Sequence, residues 1–260
     1  MKKLFKIFTL SSIIIASIVI VSCNKDDNSP VAAASCLPTN LQNGVIAAYT
    51  FGNGSLNDSS GNGYHLTNTT TASPGADRAG NSNCAFHFTN ANNEFLTYVN
   101  PVFLNNFDSQ PFSISLWYKN ENIQTNGGFE LLIGRDTGMH CPDTSGQWSV
   151  ALYDLRKPVI GINKHSLWAS EITVGSYAVS QWRHLVVTCQ GTNLQLFVDG
   201  VSTNSVAGFG CGGDDFDAGN FGDLFLGKDF DGFLDDVVIY NRILSQTEIN
   251  QLYNLPTCCM

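Results

Sequence analysis

From residue 45 onward, short apolar segments recur with turn residues between them, and almost none has the 3.6-residue period of a helix. The pattern predicts strands at 45–51 (VIAAYTF), 112–119 (FSISLWYK), 129–134 (FELLIG), 147–153 (QWSVALY), 184–190 (HLVVTCQ), 194–200 (LQLFVDG), 223–227 (DLFLG) and 233–241 (FLDDVVIYN). Asp199-Gly200 stands between two such runs and suits the positive φ angles of a tight hairpin turn. One helix is expected near the end, in SQTEINQLY. Ser245 and Glu248 form a capping box there, and Ile249, Leu252 and Tyr253 share one face before Pro256 stops the chain. Many strands, glycine-rich turns and one short C-terminal helix predict an all-β chain, a two-sheet antiparallel sandwich whose open end the helix would cap.

The first 22 residues do not belong to that pattern. Lys2, Lys3 and Lys6 precede a short apolar stretch, Ile13 to Val21, which ends in IVSC at Cys23. This resembles the lipobox of bacterial lipoproteins. The resemblance implies cleavage before Cys23 and a diacylglycerol on its sulfur. The other readings are an ordinary secretory signal or a single membrane span, but the stretch is short for a span and no basic flank follows it. Residues 23–43 read as a flexible tether. Lys25, Asp26 and Asp27 resemble the acidic tag that sends some lipoproteins to the outer face of the outer membrane, and a charged linker explains them equally. The remainder divides into a domain at 44–256 and a cysteine-bearing tail at 257–260.

Composition narrows the class. About 220 residues are enough for one large β-domain, and the abundance of Asn, Gly, Ser and Thr fits an extracellular protein. The net charge of −9, with no basic cluster, argues against nucleic acid. Eight cysteines in an exported chain point to disulfides. With Cys23 lipidated, an odd number remains, so at least one is free or pairs between chains. Cys258 and Cys259 offer one partner to Cys36, since the termini of a sandwich often lie close together.

Five segments in order carry a further resemblance: VIAAYTFGNGSLNDSSGNGYHLTN, DRAGNSNCAFHF, FSISLWYKN, QWRHLVVTCQGTNLQLFVDG and GFLDDVVIYNRILSQTEINQLYN. Together they resemble the laminin-G-like jelly roll of the concanavalin A-like superfamily, over roughly residues 44 to 254. The resemblance implies two curved antiparallel sheets and a binding or adhesion role. It also implies a structural Ca²⁺ held by Asp58 in the NDSSGNGYH turn and by Asp235, with Asp236 beside it. Asn62 would add an amide oxygen, and Gly61 and Gly63 would let carbonyls turn inward. The alternative is an Asx-turn without metal, in which Asp58 accepts backbone N–H bonds.

Trp117 and Trp182 match core positions of the family. Trp168 and Trp148 match none and are the candidates for ligand binding, with Tyr153 and His165 as neighbours of Trp168. Asp214, Asp215, Asp217 and Asp223 lie in an acidic loop that either binds a second cation or is simply solvated. The expected function is a lipid-anchored extracellular module binding a glycan or a protein partner. A polysaccharide hydrolase or lyase on the same fold and a structural envelope protein are the rival classes. The hydrolase lacks its paired carboxylates here: the chain has five glutamates, none in the Glu-x-Asp-x-x-Glu spacing of the glucanases. Asp229, Asp231 and Asp235 are the nearest substitute.

Overall fold

The computed structural model of the chain describes residues 36–107, 109–122, 128–136, 146–163, 167–170, 177–203, 205–208 and 221–259. Cys23 and the signal and tether residues up to 35 lie outside the described residues. So do Cys141, Cys211, His165, Asp214, Asp215 and Asp217. In chain order the described elements are α1 (Thr39–Gln42), β1 (Val45–Tyr49), β2 (Ser73–Gly75), β3 (Ala85–Phe88), β4 (Leu96–Tyr98), β5 (Phe112–Asn120), β6 (Phe129–Asp136), β7 (Gly146–Tyr153) and β8 (Lys157–Ile162). They continue with β9 (Leu167–Ser170), β10 (Trp182–Gln190), β11 (Asn193–Val198), β12 (Val201–Ser202), β13 (Ser205–Gly208), β14 (Asp223–Leu226), β15 (Gly232–Tyr240) and α2 (Gln246–Tyr253).

Two antiparallel sheets result. One runs β12-β11-β10-β5-β15-β3-β2, with β1 also paired to β15, and the other runs β13-β9-β8-β7-β6-β14-β4. Every strand expected from the apolar pattern is present. The Asp199-Gly200 turn has φ of 50° and 82°, as its hairpin requires. β2, β4 and β12 are too short to leave a periodic signal, and β8 is buried along almost its whole length, so it does not alternate.

The period of two decides which side chains enter the core. On β5, Ile114, Leu116 and Tyr118 face the second sheet and join Val150, Ile160, Leu224 and Ile239 in the main apolar cluster. The intervening Ser115 and Trp117 turn to the opposite face of the first sheet. That outer face carries the helix. The Ser245–Glu248 capping box forms, and Ile249 and Leu252 bury against Val186, Val238 and Tyr240. The expected position of the helix, over the open end of the sandwich, is therefore corrected. The outward positions of β1, β10 and β15 are apolar (Ala48, Val186, Val238) and need covering more than the open end does.

The chain ends are stapled beside α2. Cys36 pairs with Cys258, as the proximity of sandwich termini suggested, and Cys84 pairs with Cys259. Cys189 is free and buried, and burial pushes its thiol up to about 12, so it is an inert core side chain.

Candidate functional site

The NDSSGNGYH turn is organised around a single carboxylate. Asp58 Oδ1 accepts from the backbone N–H of Ala48 and of Ser60, both at 2.9 Å. Its Oδ2 accepts from the Ser60 hydroxyl at 2.8 Å and from the Tyr64 N–H at 3.1 Å. An ionised carboxylate has about four lone-pair sites, and all are used. Gly61 and Gly63 adopt φ of 88° and 81°, and a Cβ at either position would meet nothing. They are there for backbone conformation alone. Asn62 completes the clamp by donating from Nδ2 to the carbonyls of Val45 (3.3 Å) and Ile46 (2.9 Å) on β1.

The partner acids expected for calcium have another counter-charge. Arg78 Nη1 lies 3.2 Å from Asp235 Oδ2 and 2.6 Å from Asp236 Oδ2. Its Nη2 donates to the Leu255 carbonyl at 3.2 Å, and its guanidinium rests 4.4 Å above the Trp117 ring. Burial pushes both carboxyls up. The neighbouring Asp236 raises Asp235 further, and Arg78 opposes the rise in each. Asp58, Asn62, Asp235 and Asp236 therefore do not fit one shared Ca²⁺. The oxygens of Asp58 are saturated by donors, Asn62 presents its nitrogen to β1, and a guanidinium sits where the ion would need to approach the other two. Among the described residues no group of three or more His, Cys, Asp or Glu side chains could hold a metal ion. The cation that Asp235 and Asp236 face is an arginine.

The tryptophans separate as well. Trp148, expected at a ligand surface, is only 1% exposed and packs against Phe107 and Phe112 at 5.9 and 5.8 Å, so it belongs to the core. Its position on β7 faces inward, which its local sequence did not reveal. Trp168 is half-buried on β9 with the Tyr153 ring 5.2 Å away, the pairing anticipated for it. Trp117 is buried between Arg78 and Tyr253, and Trp182 is half-buried beside Phe233. Of the acids considered for catalysis, Asp231 accepts from the Asn90 N–H at 2.8 Å. Glu130, near it, is 2% exposed and bonded to Asn120, and burial raises it to about 7. A carboxyl so enclosed reaches no substrate. Asp223, at the end of the acidic loop, accepts from the Asn100 N–H.

What the Asp58 turn does present is a groove. Asn62 and Tyr64 form part of its wall, and Phe103, Asn106, Gln110 and Asn241 complete the polar and aromatic lining around a volume of about 450 Å³. That is within the usual range for a small-molecule site. The Tyr64 and Phe103 rings stack at 3.8 Å and 11°, with Tyr98 edge-on to Phe103 at 5.2 Å. Tyr64 is fixed from both sides: its N–H goes to Asp58, and its carbonyl accepts the Tyr49 hydroxyl at 2.8 Å. Asn241 follows β15 and donates its backbone N–H to Gly44. Its Oδ1 would lie 2.8 Å from any Cβ at Gly44, whose φ of 77° also calls for glycine. Sequence reasoning singled out Asn62 but missed the other five. They come from three separated segments and share no motif.

A family model described as concanavalin A-like lectin/glucanases superfamily matches residues 90–250. The chain belongs to that superfamily. No curated protein matches it in sequence. Among solved structures, one of botulinum neurotoxin type C, whose cell entry is described as dependent upon interaction with two ganglioside molecules, superposes with a TM-score of 0.61. It is 14% identical, over 83% of this chain and 52% of that one. The botulinum neurotoxin DC binding domain in complex with SialylT gives a TM-score of 0.56 at 13% identity, over 82% and 52%. Domain 4 of the arabinanase AbnA from Geobacillus stearothermophilus, solved with arabinotriose, gives 0.55 at 21% identity, over 81% and 98%. This superfamily member thus spans about half of the neurotoxin chains and nearly all of the arabinanase domain. At these identities the likeness establishes the shared jelly-roll fold.

Proposed function

We propose that this superfamily member is a non-catalytic binding module that holds a glycan in the groove between Asn62, Tyr64, Phe103, Asn106, Gln110 and Asn241. The groove itself carries the proposal. Primary amides, set around a stacked aromatic wall, are the chemistry that pairs with sugar hydroxyls and with the apolar face of a pyranose or furanose ring. The arabinanase domain, which this chain matches over nearly its whole length and which was solved with arabinotriose, supports the reading.

The test is a glycan array followed by titration calorimetry. Phe103→Ala and Asn241→Ala should each weaken binding roughly tenfold, the scale of one lost stacking or hydrogen-bonding partner, while Trp168→Ala leaves it unchanged. Chelator should alter neither affinity nor melting temperature. Release of product from the bound saccharide would overturn the non-catalytic part of the reading, and wild-type affinity in both groove variants would move the site elsewhere.

Anchoring through Cys23 at the outer face of a bacterial outer membrane belongs to the same proposal and rests on the lipobox-like IVSC. Cys23→Ser should abolish incorporation of a labelled fatty-acid analogue. Undiminished labelling would remove the anchor from the account.

A further inference from the structure

The groove constrains the charge of what it can hold, and this inference rests on the glycan-binding reading above. Asn62 is the most restrictive position. Its amide nitrogen is turned to β1, donating to the Val45 carbonyl at 3.3 Å and to the Ile46 carbonyl at 2.9 Å. Two carbonyls around one end of the side chain settle which atom is nitrogen. The oxygen left over can only accept. A ligand group lying against it must therefore donate, as a hydroxyl or an amide N–H does and a carboxylate cannot.

Among the described lining residues no positive charge offsets this, since none is charged. The cation nearest in sequence, Arg242, is turned away. Its Nε donates to the Asn43 carbonyl at 2.7 Å, and its Nη2 pairs with Glu248 at 2.8 Å. The protein as a whole carries a net charge of −9. A carboxylate moved from water into this groove would lose hydration without gaining a partner, and that loss is not recovered by amide contacts. The Asn106, Gln110 and Asn241 side chains can serve neighbouring hydroxyls in either hydrogen-bonding sense, and the Tyr64–Phe103 stack supplies the apolar wall.

We propose that the groove selects an uncharged, hydroxyl-rich saccharide and rejects sialylated and uronic-acid glycans. This reading agrees with the neutral arabinotriose named for the arabinanase domain.

Matched probes test it on the full-length protein: neutral arabino- and lacto-oligosaccharides against galacturonic-acid oligomers and sialyllactose of similar length. The neutral member of each pair should bind roughly tenfold or more tightly than the acidic one. Its affinity should also hold when sodium chloride is raised from about 0.05 to about 0.5 M, because no ion pair is there to be screened. Preference for the acidic members, or a steep loss of affinity with salt, would overturn the inference while leaving a glycan-binding module in place. Binding to no saccharide on the array would overturn both.

Discussion

Arg78→Ala should destabilise the protein by about 3–5 kcal/mol, the usual cost of removing one partner of a buried ion pair. For a domain of this size that is a fall in melting temperature of roughly 6–20 °C. Asp235 is fully buried, the Asp236 side chain is 16% exposed, and one guanidinium touches both. The same side chain also stacks on Trp117 and holds the Leu255 carbonyl, so its loss loosens the seam between the outer face of the first sheet and the C-terminal segment. The deficit should depend on pH. Asp235, Asp236 and Glu130 are raised in the folded protein, Glu130 to about 7. Groups raised on folding contribute stability below their unfolded values, about 4, and lose it as pH climbs through the folded ones. His184 runs the other way. Burial, then the charge of Arg78, lower it to about 3, so its contribution is lost as pH falls below about 6.5. Above that point His184 is neutral in both states and only the carboxyls act. Wild type should therefore lose stability between about pH 6.5 and 8, and Arg78→Ala should lose it more steeply. Urea melts at the two pH values measure this, and a variant as stable as wild type at pH 8 would show that Arg78 is not the counter-charge.

Opening the two disulfides should cost a comparable amount. Cys36–Cys258 joins residues 222 apart and Cys84–Cys259 residues 175 apart, so each restrains a large part of the unfolded chain. Loss of one such link typically costs about 2–5 kcal/mol. Cys258→Ala should fall in that range, and Cys258→Ala with Cys259→Ala should fall further. The second loss should be smaller than a simple sum, because adjacent cysteines tie the same C-terminal segment and the two loops overlap. That segment should then become protease-sensitive at residues 254–259, while strands far from the clasp stay protected. Differential melting with and without reductant provides the measurement. An unchanged melting temperature in the double variant would mean that the Arg78 cluster and α2 hold the C-terminus unaided.

The fold and the site were legible to different degrees for one physical reason: information that repeats locally can be read in one dimension, and information that arises from distant pairing cannot. The eight strands read from the apolar pattern, the Asp199-Gly200 hairpin and the Ser245–Glu248 capping box each depend on residues within a few positions of one another, so composition and period determined them. The five ordered segments were enough for the superfamily. Asp58 was singled out as a calcium ligand, but a carboxylate in an Asx-turn and one on a calcium ion have the same neighbours in sequence. Only the fold brings Ala48 N–H and Tyr64 N–H onto its two oxygens. Likewise Asp235 and Asp236 were singled out for a calcium ion, but Arg78, 157 residues before Asp235, became their counter-charge through tertiary packing. Trp148 and Trp168 look alike as sequence and differ because one strand position faces the core and the other does not. The groove is the extreme case. Asn62, Phe103 and Asn241 have no local relation, and they meet because β1 pairs with β15 while the Asp58 turn folds back over β1.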